Sequence, residues 1–245
     1  MKSKKFKILI YLLVNLLIFS KLYSAEIFNF EFNDIEISQN GNFFKGYNGG
    51  KVLSEDGISI TAKKFEYNKI TNFLYASGDV KFLDNKRNLK IVSGSISYSK
   101  DEEIIIARDN VKIFENEKDI IIKANEITYF KKQDKIYANE NVKLEDNFKK
   151  ITISANEISY DKKNEIIVAE TKVNFNDKIN NIVINTDKIN YLKKNEKITS
   201  EGITNANIYN KYYFTSKDVT FLKEEMKLYS SEQTTITNHK NSMYK

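Results

Sequence analysis

Apolar and polar residues alternate along this chain in a pattern that repeats every 31 residues. The repeat places a tyrosine at the same position of five successive copies, and Phe221 continues the row after a slip of one residue. The five are Tyr67, Tyr98, Tyr129, Tyr160 and Tyr191. A fixed period of this length is typical of stacked units that bury their apolar faces against one another. The sequence therefore predicts a stack of six copies.

Each copy divides into two segments of alternating apolar and polar residues, which predicts two β-strands with one buried face each. β-Branched and aromatic residues fill the apolar positions, and they favour strand over helix. The second segment of each copy reads as a regular strand. In the first segment the alternation breaks after a small residue, which predicts a β-bulge there. The predicted fold class is all-β, with about twelve strands between Ile58 and Ile236.

Small residues lie in the middle of both segments and form two rows along the stack. They are Ala62, Ser93, Ala124, Ala155, Thr186 and Ser216 in the first segments, and Ala76, Ala107, Ala138, Ala169, Ser200 and Ser230 in the second. Two arrangements are compatible with such rows: the sheets approach closely there, or a channel runs through. The tyrosines are predicted to cap the core near the turns with their hydroxyls reaching water. The alternative is that the rings line the mouth of a lipid groove.

The amino terminus has the pattern of a signal peptide. Four lysines within Met1–Lys7 precede an apolar run from Ile8 to Phe19 that is short for a membrane span, and an exit follows at Ser24-Ala25. An uncleaved anchor is the alternative. Residues 1–25 carry five lysines and no acid, so their removal takes the net charge from +6 to +1. Because the remaining charges are interspersed, no basic stripe is present and no nucleic-acid partner is expected.

Few residues offer catalytic or metal-binding chemistry. His239 is the only histidine and cysteine is absent, so neither a histidine-based catalytic set nor a disulfide framework is available. Asp109 and Glu140 lie one period apart and could form a carboxylate pair. Gly78, Thr171 and Gly202 fill the same position in other copies, however, so a bulge or an opening is favoured there. Residues 46–50, GYNGG, read as a turn. No enzyme activity, cofactor or metal is expected.

The repeat resembles a known family at specific segments. Residues 120–129, IIIKANEITY, a lysine-rich turn and residues 136–144, IYANENVKL, are similar to the OstA-like module. The first copy supplies that family's small-x-Gly-x-Val pattern as Ala76-Ser-Gly78-Asp-Val80. The module is shared by the lipopolysaccharide-transport proteins LptA and LptC and the amino-terminal domain of LptD. The resemblance covers roughly residues 50–236.

The resemblance implies an elongated open β-jellyroll of about six two-strand repeats, exported to the periplasm of a Gram-negative cell. Its apolar interior would hold the acyl chains of lipopolysaccharide during outer-membrane biogenesis. It also implies partners: other OstA-like jellyrolls joined end to end by strand pairing, or further copies of this chain. Because residues 238–245 are polar and offer little hydrophobic cover, Met226 to Ile236 is the expected docking edge. The implied lipid-binding residues of the inward face are Leu74, Ala76, Val80, Ile105, Ala107, Val111, Ile113, Ile120, Ile122, Ala124, Ile127, Ile136, Ala138, Val142, Leu144, Ile151, Ile153, Ile158, Ile167, Ala169 and Val173.

The expected organisation has four parts: a signal peptide or anchor (1–25), an amino-terminal strand or cap (26–57), the repeats (58–236) and a polar tail (237–245). Within the family, length and leader favour an LptA-like bridge protein over a detached LptD amino-terminal domain or an anchored LptC-like subunit. The alternative from another class is a structural β-solenoid, such as an adhesin, whose interior is a packed core without ligand.

Overall fold

The computed structural model describes residues 28–238 and the backbone of 243–244, so the expected signal peptide and His239 lie outside the described residues. The described residues form one antiparallel sheet of 19 strands and contain no α-helix, only single 3-10 turns at Gln39–Gly41 and Lys193–Asn195. The strands are Asn29–Ser38 (β1), Phe43–Leu53 (β2), Ile58–Ala62 (β3), Lys64–Asn68 (β4), Phe73–Asp84 (β5), Leu89–Ser99 (β6), Ile104–Glu115 (β7), Ile120–Phe130 (β8), Lys135–Asp146 (β9), Ile151–Asp161 (β10), Ile166–Asp177 (β11), Ile182–Leu192 (β12), Lys197–Glu201 (β13), Ile203–Ile208 (β14), Tyr212–Lys217 (β15), Thr220–Leu222 (β16), Lys227–Tyr229 (β17), Thr235–Asn238 (β18) and Met243–Tyr244 (β19).

The all-β fold predicted from the sequence is confirmed. Each of the twelve predicted strands has a counterpart, and from β5 to β12 successive strands pair in a continuous up-and-down order. The register sets apolar residues of neighbouring strands opposite each other on the inward face, as where Tyr129 lies between Ile105 and Ile136. Because side chains alternate along a strand, this register buries every apolar row at once. The result is an elongated β-jellyroll built from 31-residue units.

A bulge bends the strands near their midpoints, but in the first five copies the extra residue lies on the second strand. Between β7 and β8, Asp109 and Asn110 oppose one residue of the partner strand, and both have left-handed φ values of 70° and 54°. The prediction that the second strand is regular is therefore wrong at this point. Asp109 and Glu140 do not point inward; both are exposed at the bulge, which rules out an interior carboxylate pair. Gly78 and Gly202, at φ 81° and 90°, take this conformation without steric cost.

The amino-terminal segment is a long hairpin rather than a single strand or cap. Strands β1 and β2 pair along most of their length, and β2 continues the sheet through β3 and β4. Residues 46–50, predicted to be a turn, lie inside β2, and Asn48 and Gly49 among them form its bulge. A side chain at Gly50 would clash with the Phe32 ring, so glycine is needed there because the ring packs directly on the backbone.

The carboxyl-terminal end is more irregular than predicted. The expected last strand, Met226 to Ile236, is divided into β17 and β18, which pair with β16 and β15 respectively. The outer edge of β18 pairs with β19 at Ile236 and Thr237, so the tail segment covers part of the edge that was predicted to be free.

The turns form two rows, one at each end of the bent strands. The acid turns, which follow acidic strand ends in most copies, are residues 54–57, 85–88, 116–119, 147–150, 178–181 and 209–211. The lysine turns are residues 69–72, 100–103, 131–134, 162–165, 193–196 and 223–226. Neighbouring turns of one row are joined by backbone hydrogen bonds, such as Lys162 N–H to Asp134 O (3.1 Å) and Lys178 N–H to Lys150 O (3.2 Å). Each row therefore runs the length of the stack, with about 10 Å between turns because two strands separate them.

Candidate functional site: the apolar interior and its seam

The predicted inward face is the buried interior of the jellyroll. Twenty of the 21 residues proposed to bind lipid are 0–2% exposed, and Ala124 is 7% exposed. They form one apolar cluster that continues from Val52 to Phe221. The sequence thus identified which side chains face inward. Their contact with a lipid stays a prediction.

The small residues mark a strip that is slightly less buried than the rest. In the first-segment row, members such as Ala62, Ala124 and Thr186 are 7–8% exposed, whereas Ala76, Ala107 and Ala169 of the second row are fully buried. From Ala62 to Ser216 both rows are buried, so neither borders an open channel. Of the two arrangements compatible with the sequence, close approach describes this structure.

The tyrosine hydroxyls do not reach water, contrary to the prediction. Tyr98, Tyr129, Tyr160 and Tyr191 are at most 1% exposed. The Tyr129 hydroxyl donates to Asp134 Oδ1 (2.8 Å), and the Tyr191 hydroxyl donates to Glu196 Oε2 (3.1 Å). Burial raises the pKa of both phenols well above the ordinary value. The rings therefore anchor the lysine turns to the interior.

The two ends of the interior differ in chemistry. At the front, the rings of Phe28, Phe30 and Phe44 pack around Tyr67, with centroids 5.2–6.0 Å from the Tyr67 centroid. Phe32 extends this group by packing on Phe30 at 5.3 Å. At the rear, hydroxyl groups replace aliphatic ones: Thr204 Oγ1 lies 3.0 Å from Thr186 Oγ1 and 2.6 Å from Ser200 Oγ. The purely hydrocarbon part of the interior therefore lies in the middle copies.

The two rows of turns meet along a line, here called the seam, which closes the interior. Four buried lysines of the lysine turns lie there. Most of them face a carboxylate at the end of a strand, just before an acid turn. Lys162 Nζ is 3.6 Å from Glu115, Lys193 Nζ is 2.7 Å from Asp146, and Lys223 Nζ is 3.1 Å from Asp177. Lys131 departs from this pattern and pairs with Asp56 at 2.9 Å. Since each pair joins the ends of different strands, the sheet must fold back on itself at the bulges.

Side chains alone close the seam in the described residues. Besides the ion pairs, Lys118 Nζ donates to Lys162 O (3.2 Å) and Lys149 Nζ donates to Lys193 O (3.1 Å). Lys118 also pairs with Glu165 at 2.8 Å. No backbone–backbone hydrogen bond of the described residues joins the two rows. Buried ion pairs contribute little net stability because desolvation offsets their attraction. The seam is therefore the line along which the jellyroll can separate without breaking a strand ladder.

Sequence reasoning missed these charged residues, although the signal is present in the sequence. Asp84, Glu115, Asp146 and Asp177 follow one another at the 31-residue period, as do Lys131, Lys162 and Lys193. Charged residues in turns are normally solvated, so these lysines indicate only turns when each copy is considered alone. A buried charge needs a partner, so two charge rows of opposite sign and equal period could have indicated the seam.

Glu115 differs from the other seam acids because its burial is poorly compensated. Its carboxylate is 3.6 Å from Lys162 and 4.0 Å from Lys118, and burial raises its pKa above the ordinary 4.5 despite these lysines. The ionised form therefore costs folding free energy at neutral pH, and this cost declines as pH falls from the raised pKa to the ordinary value of 4.5.

We expect Glu115→Gln to unfold in urea at the same or a higher midpoint than the parent at pH 7, since Lys162 keeps Asp134 at 3.2 Å. The advantage of the variant should shrink toward the ordinary carboxyl pKa of 4.5, where the parent is also neutral. The matched change Asp146→Asn should be destabilising at pH 7, because Asp146 is bound closely by Lys193 and the Lys149 N–H. An advantage of Glu115→Gln that grows toward acid pH would contradict the burial argument.

Other chemistry is sparse in the described residues. They contain no group of three or more His, Cys, Asp or Glu side chains placed to hold a metal ion. A search of the same residues for helices long and apolar enough to cross a membrane finds none. A polar recess lies at the exposed bulge between β9 and β10. It is lined by Asn139, Glu140, Asn141, Asn156 and Glu157.

A solved protein structure has a fold similar to that of this chain. The chain is similar in structure to LptH of Pseudomonas aeruginosa, described as the LptA homologous periplasmic component of the conserved lipopolysaccharide transport device. The alignment has a TM-score of 0.43 and 18% sequence identity, and it covers 48% of this chain and 84% of that one. No family model matches the sequence, and no curated protein matches it.

Proposed function

We propose that this chain is an exported, LptA-like protein that binds lipopolysaccharide and passes it along a periplasmic bridge to the outer membrane. The observation that carries the proposal is the combination of a continuous apolar interior with a closure made of side-chain contacts alone. Acyl chains need an apolar environment of this length, and the seam offers a lateral way in. The chain supplies binding and passage, and the energy for transport comes from elsewhere.

Entry of a lipid requires the two halves of each strand to move apart at the seam. The bulges allow this motion because the paired left-handed residues, Asp109-Asn110 and Glu140-Asn141, already interrupt the ladders along one line. Rotation about that line preserves the hydrogen bonds within each half. It exposes inward residues such as Ala107, Ile127 and Ala138 to an incoming acyl chain. The small side chains then leave room along the stack axis.

End-to-end assembly is the second part of the proposal. Among the described residues, β1 is paired on one side only, and β17 likewise. An unpaired strand edge offers backbone donors and acceptors to another jellyroll. Another OstA-like protein or a second copy of this chain fits such an edge. A detached LptD amino-terminal domain or an LptC-like subunit would use the same edges.

A structural β-solenoid without ligand is a second candidate, and the filled interior favours it. Every lipid-binding candidate contacts other side chains of the chain itself, so the structure needs no lipid to complete its core. The two functions differ in one respect: only the transport function requires the seam to open.

Crosslinking the seam tests the proposal directly. The chain contains no cysteine, so Lys118→Cys with Glu165→Cys places a unique thiol pair across the seam where the native side chains are 2.8 Å apart. We expect the purified variant to capture lipopolysaccharide before treatment with a short bifunctional thiol reagent. After treatment its affinity should fall by at least about tenfold, because the open state is no longer populated.

The matched control is Lys150→Cys with Lys178→Cys, which joins neighbouring turns of one row and does not cross the seam. Its crosslinked form should bind lipopolysaccharide as well as the untreated form. Equal binding by both crosslinked proteins would exclude entry through the seam. Absence of lipopolysaccharide capture by the untreated parent would exclude the transport function and favour the solenoid.

A further inference from the structure

We propose that the outer surface of the acid turns 147–150 and 178–181, here called the turn patch, docks on an anionic lipid surface. Two large apolar side chains project there at the same position of neighbouring turns: Phe148 is 82% exposed and Ile179 is 63% exposed. The turns are held side by side by the hydrogen bond from Lys178 N–H to Lys150 O. Tyr209, 54% exposed, lies in the next turn of the row. The three exposed side chains therefore lie in a row along neighbouring turns, here called the apolar ridge.

Lysines surround this ridge. Lys149, Lys150 and Lys178 belong to the two turns themselves. Exposed Lys163 and Lys194 belong to the lysine turns across the seam, whose position is fixed by the bonds from Lys118 and Lys149 to Lys162 O and Lys193 O. Of these, Lys150, Lys163, Lys178 and Lys194 make no ion pair with any residue that the structure describes.

The acids near the patch are either engaged or at its borders. Glu165 and Glu196 pair with Lys118 and Lys149 across the seam. The exposed acids belong to the flanking turns, with Glu224 and Glu225 on one side and Glu117 and Asp119 on the other. Glu117 and Asp119 line the same recess as Phe148, and Asp119 Oδ1 accepts a hydrogen bond from Asn147 Nδ2 (3.1 Å). The positive charge is thus concentrated on the turns that carry Phe148 and Ile179.

An apolar ridge within a group of lysines matches the chemistry of an anionic bilayer surface. Aromatic and aliphatic tips insert at the boundary between headgroups and acyl chains, while lysines are attracted to the negative surface potential. Other exposed apolar residues lack this setting: Ile70 is followed in its row by Asp101, and Ile203 lies on the outer face of β14. Charge complementarity therefore selects the lipid surface as the occupant.

The surface lies beside the seam rather than at a chain end. Phe148 and Lys149 share a recess of about 290 Å³ with Lys118, Lys193 and Glu165 of the seam, and its lining is completed by Glu117, Asp119 and Asp146. Docking by the turn patch would hold this part of the seam toward the bilayer. The inference rests on the exposed turns and does not depend on lipopolysaccharide binding in the interior.

Vesicle co-sedimentation tests the inference. The probe is phosphatidylcholine vesicles with and without phosphatidylglycerol, mixed with the purified protein. We expect binding only to vesicles that contain phosphatidylglycerol, weakening as salt screens the lysines. Phe148→Ser with Ile179→Ser, and separately Lys150→Gln with Lys178→Gln and Lys194→Gln, should each reduce binding by at least about tenfold.

The matched control is Ile70→Ser with Ile203→Ser, which removes similarly exposed apolar side chains outside the patch. It should bind vesicles as the parent does, and any contribution of the amino-terminal leader is common to all variants. Unchanged vesicle binding by the Phe148→Ser, Ile179→Ser protein would overturn the inference, as would a parent that does not bind. Lipopolysaccharide capture in solution should be the same for parent and patch variants, so failure of the patch and failure of the transport proposal give different results.

Discussion

Replacing Lys193 with methionine should lower the free energy of unfolding by about 3–5 kcal/mol, because it leaves a buried carboxylate without its cation. Lys193 Nζ lies 2.7 Å from Asp146 Oδ2, and both side chains are almost completely buried. Methionine keeps the length of the side chain and removes only the charge. Asp146 retains the Lys149 N–H at 2.8 Å, which compensates only part of its desolvation. Urea unfolding at neutral pH measures the change.

Two companion variants separate the charge effect from general damage. Lys194→Met alters the adjacent exposed lysine and should change stability by less than about 0.5 kcal/mol. Lys193→Met combined with Asp146→Leu removes both charges and should recover most of the lost stability, since an apolar replacement of a buried pair is often neutral. A double variant as unstable as the single one would show that the stability loss comes from packing at Lys193 and not from the unpaired charge of Asp146.

The repeat made the strands predictable because period and alternation are local properties of the sequence. A residue such as Ile105 faces inward because its alternate neighbours do, and each copy of the pattern supports the others. The position of the bulge was less predictable. Asp109 continues the alternation in the sequence, but the extra residue of the bulge reverses its side and leaves it exposed. Alternation alone does not show where a strand bends.

The seam could not be predicted by the same reasoning because it joins residues of separate turns. Asp146 and Lys193 are 47 positions apart, and which pairs meet depends on how the bent sheet closes. The tyrosine hydroxyls show the same effect: Tyr129 donates to Asp134 in the following turn, and within that turn Lys131 is buried against Asp56, 75 positions away. Local pattern determined the strands, whereas closure determined the environment of every turn.

The interior is where the two candidate functions differ most, and Phe175 lies at its centre. The ring is fully buried and packs edge-on against Tyr191, with centroids 6.0 Å apart. Phe175→Ala should lower the free energy of unfolding by about 3–5 kcal/mol, through lost burial and the cavity that remains. The same substitution at exposed Phe148 should change it by less than about 0.5 kcal/mol.

The cavity left by Phe175→Ala also tests whether an acyl chain can enter the interior. An apolar cavity in a protein binds apolar ligands of suitable size, so a medium-chain fatty acid should raise the melting temperature of Phe175→Ala if acyl chains can pass the seam. The shift follows from preferential binding to the folded state and should increase with ligand concentration. Crosslinking Lys118→Cys to Glu165→Cys in the same protein should abolish the shift while leaving the cavity in place. A shift that survives the crosslink would place the entry route at an end of the stack, and no shift in either form would favour a solenoid whose interior is a closed core.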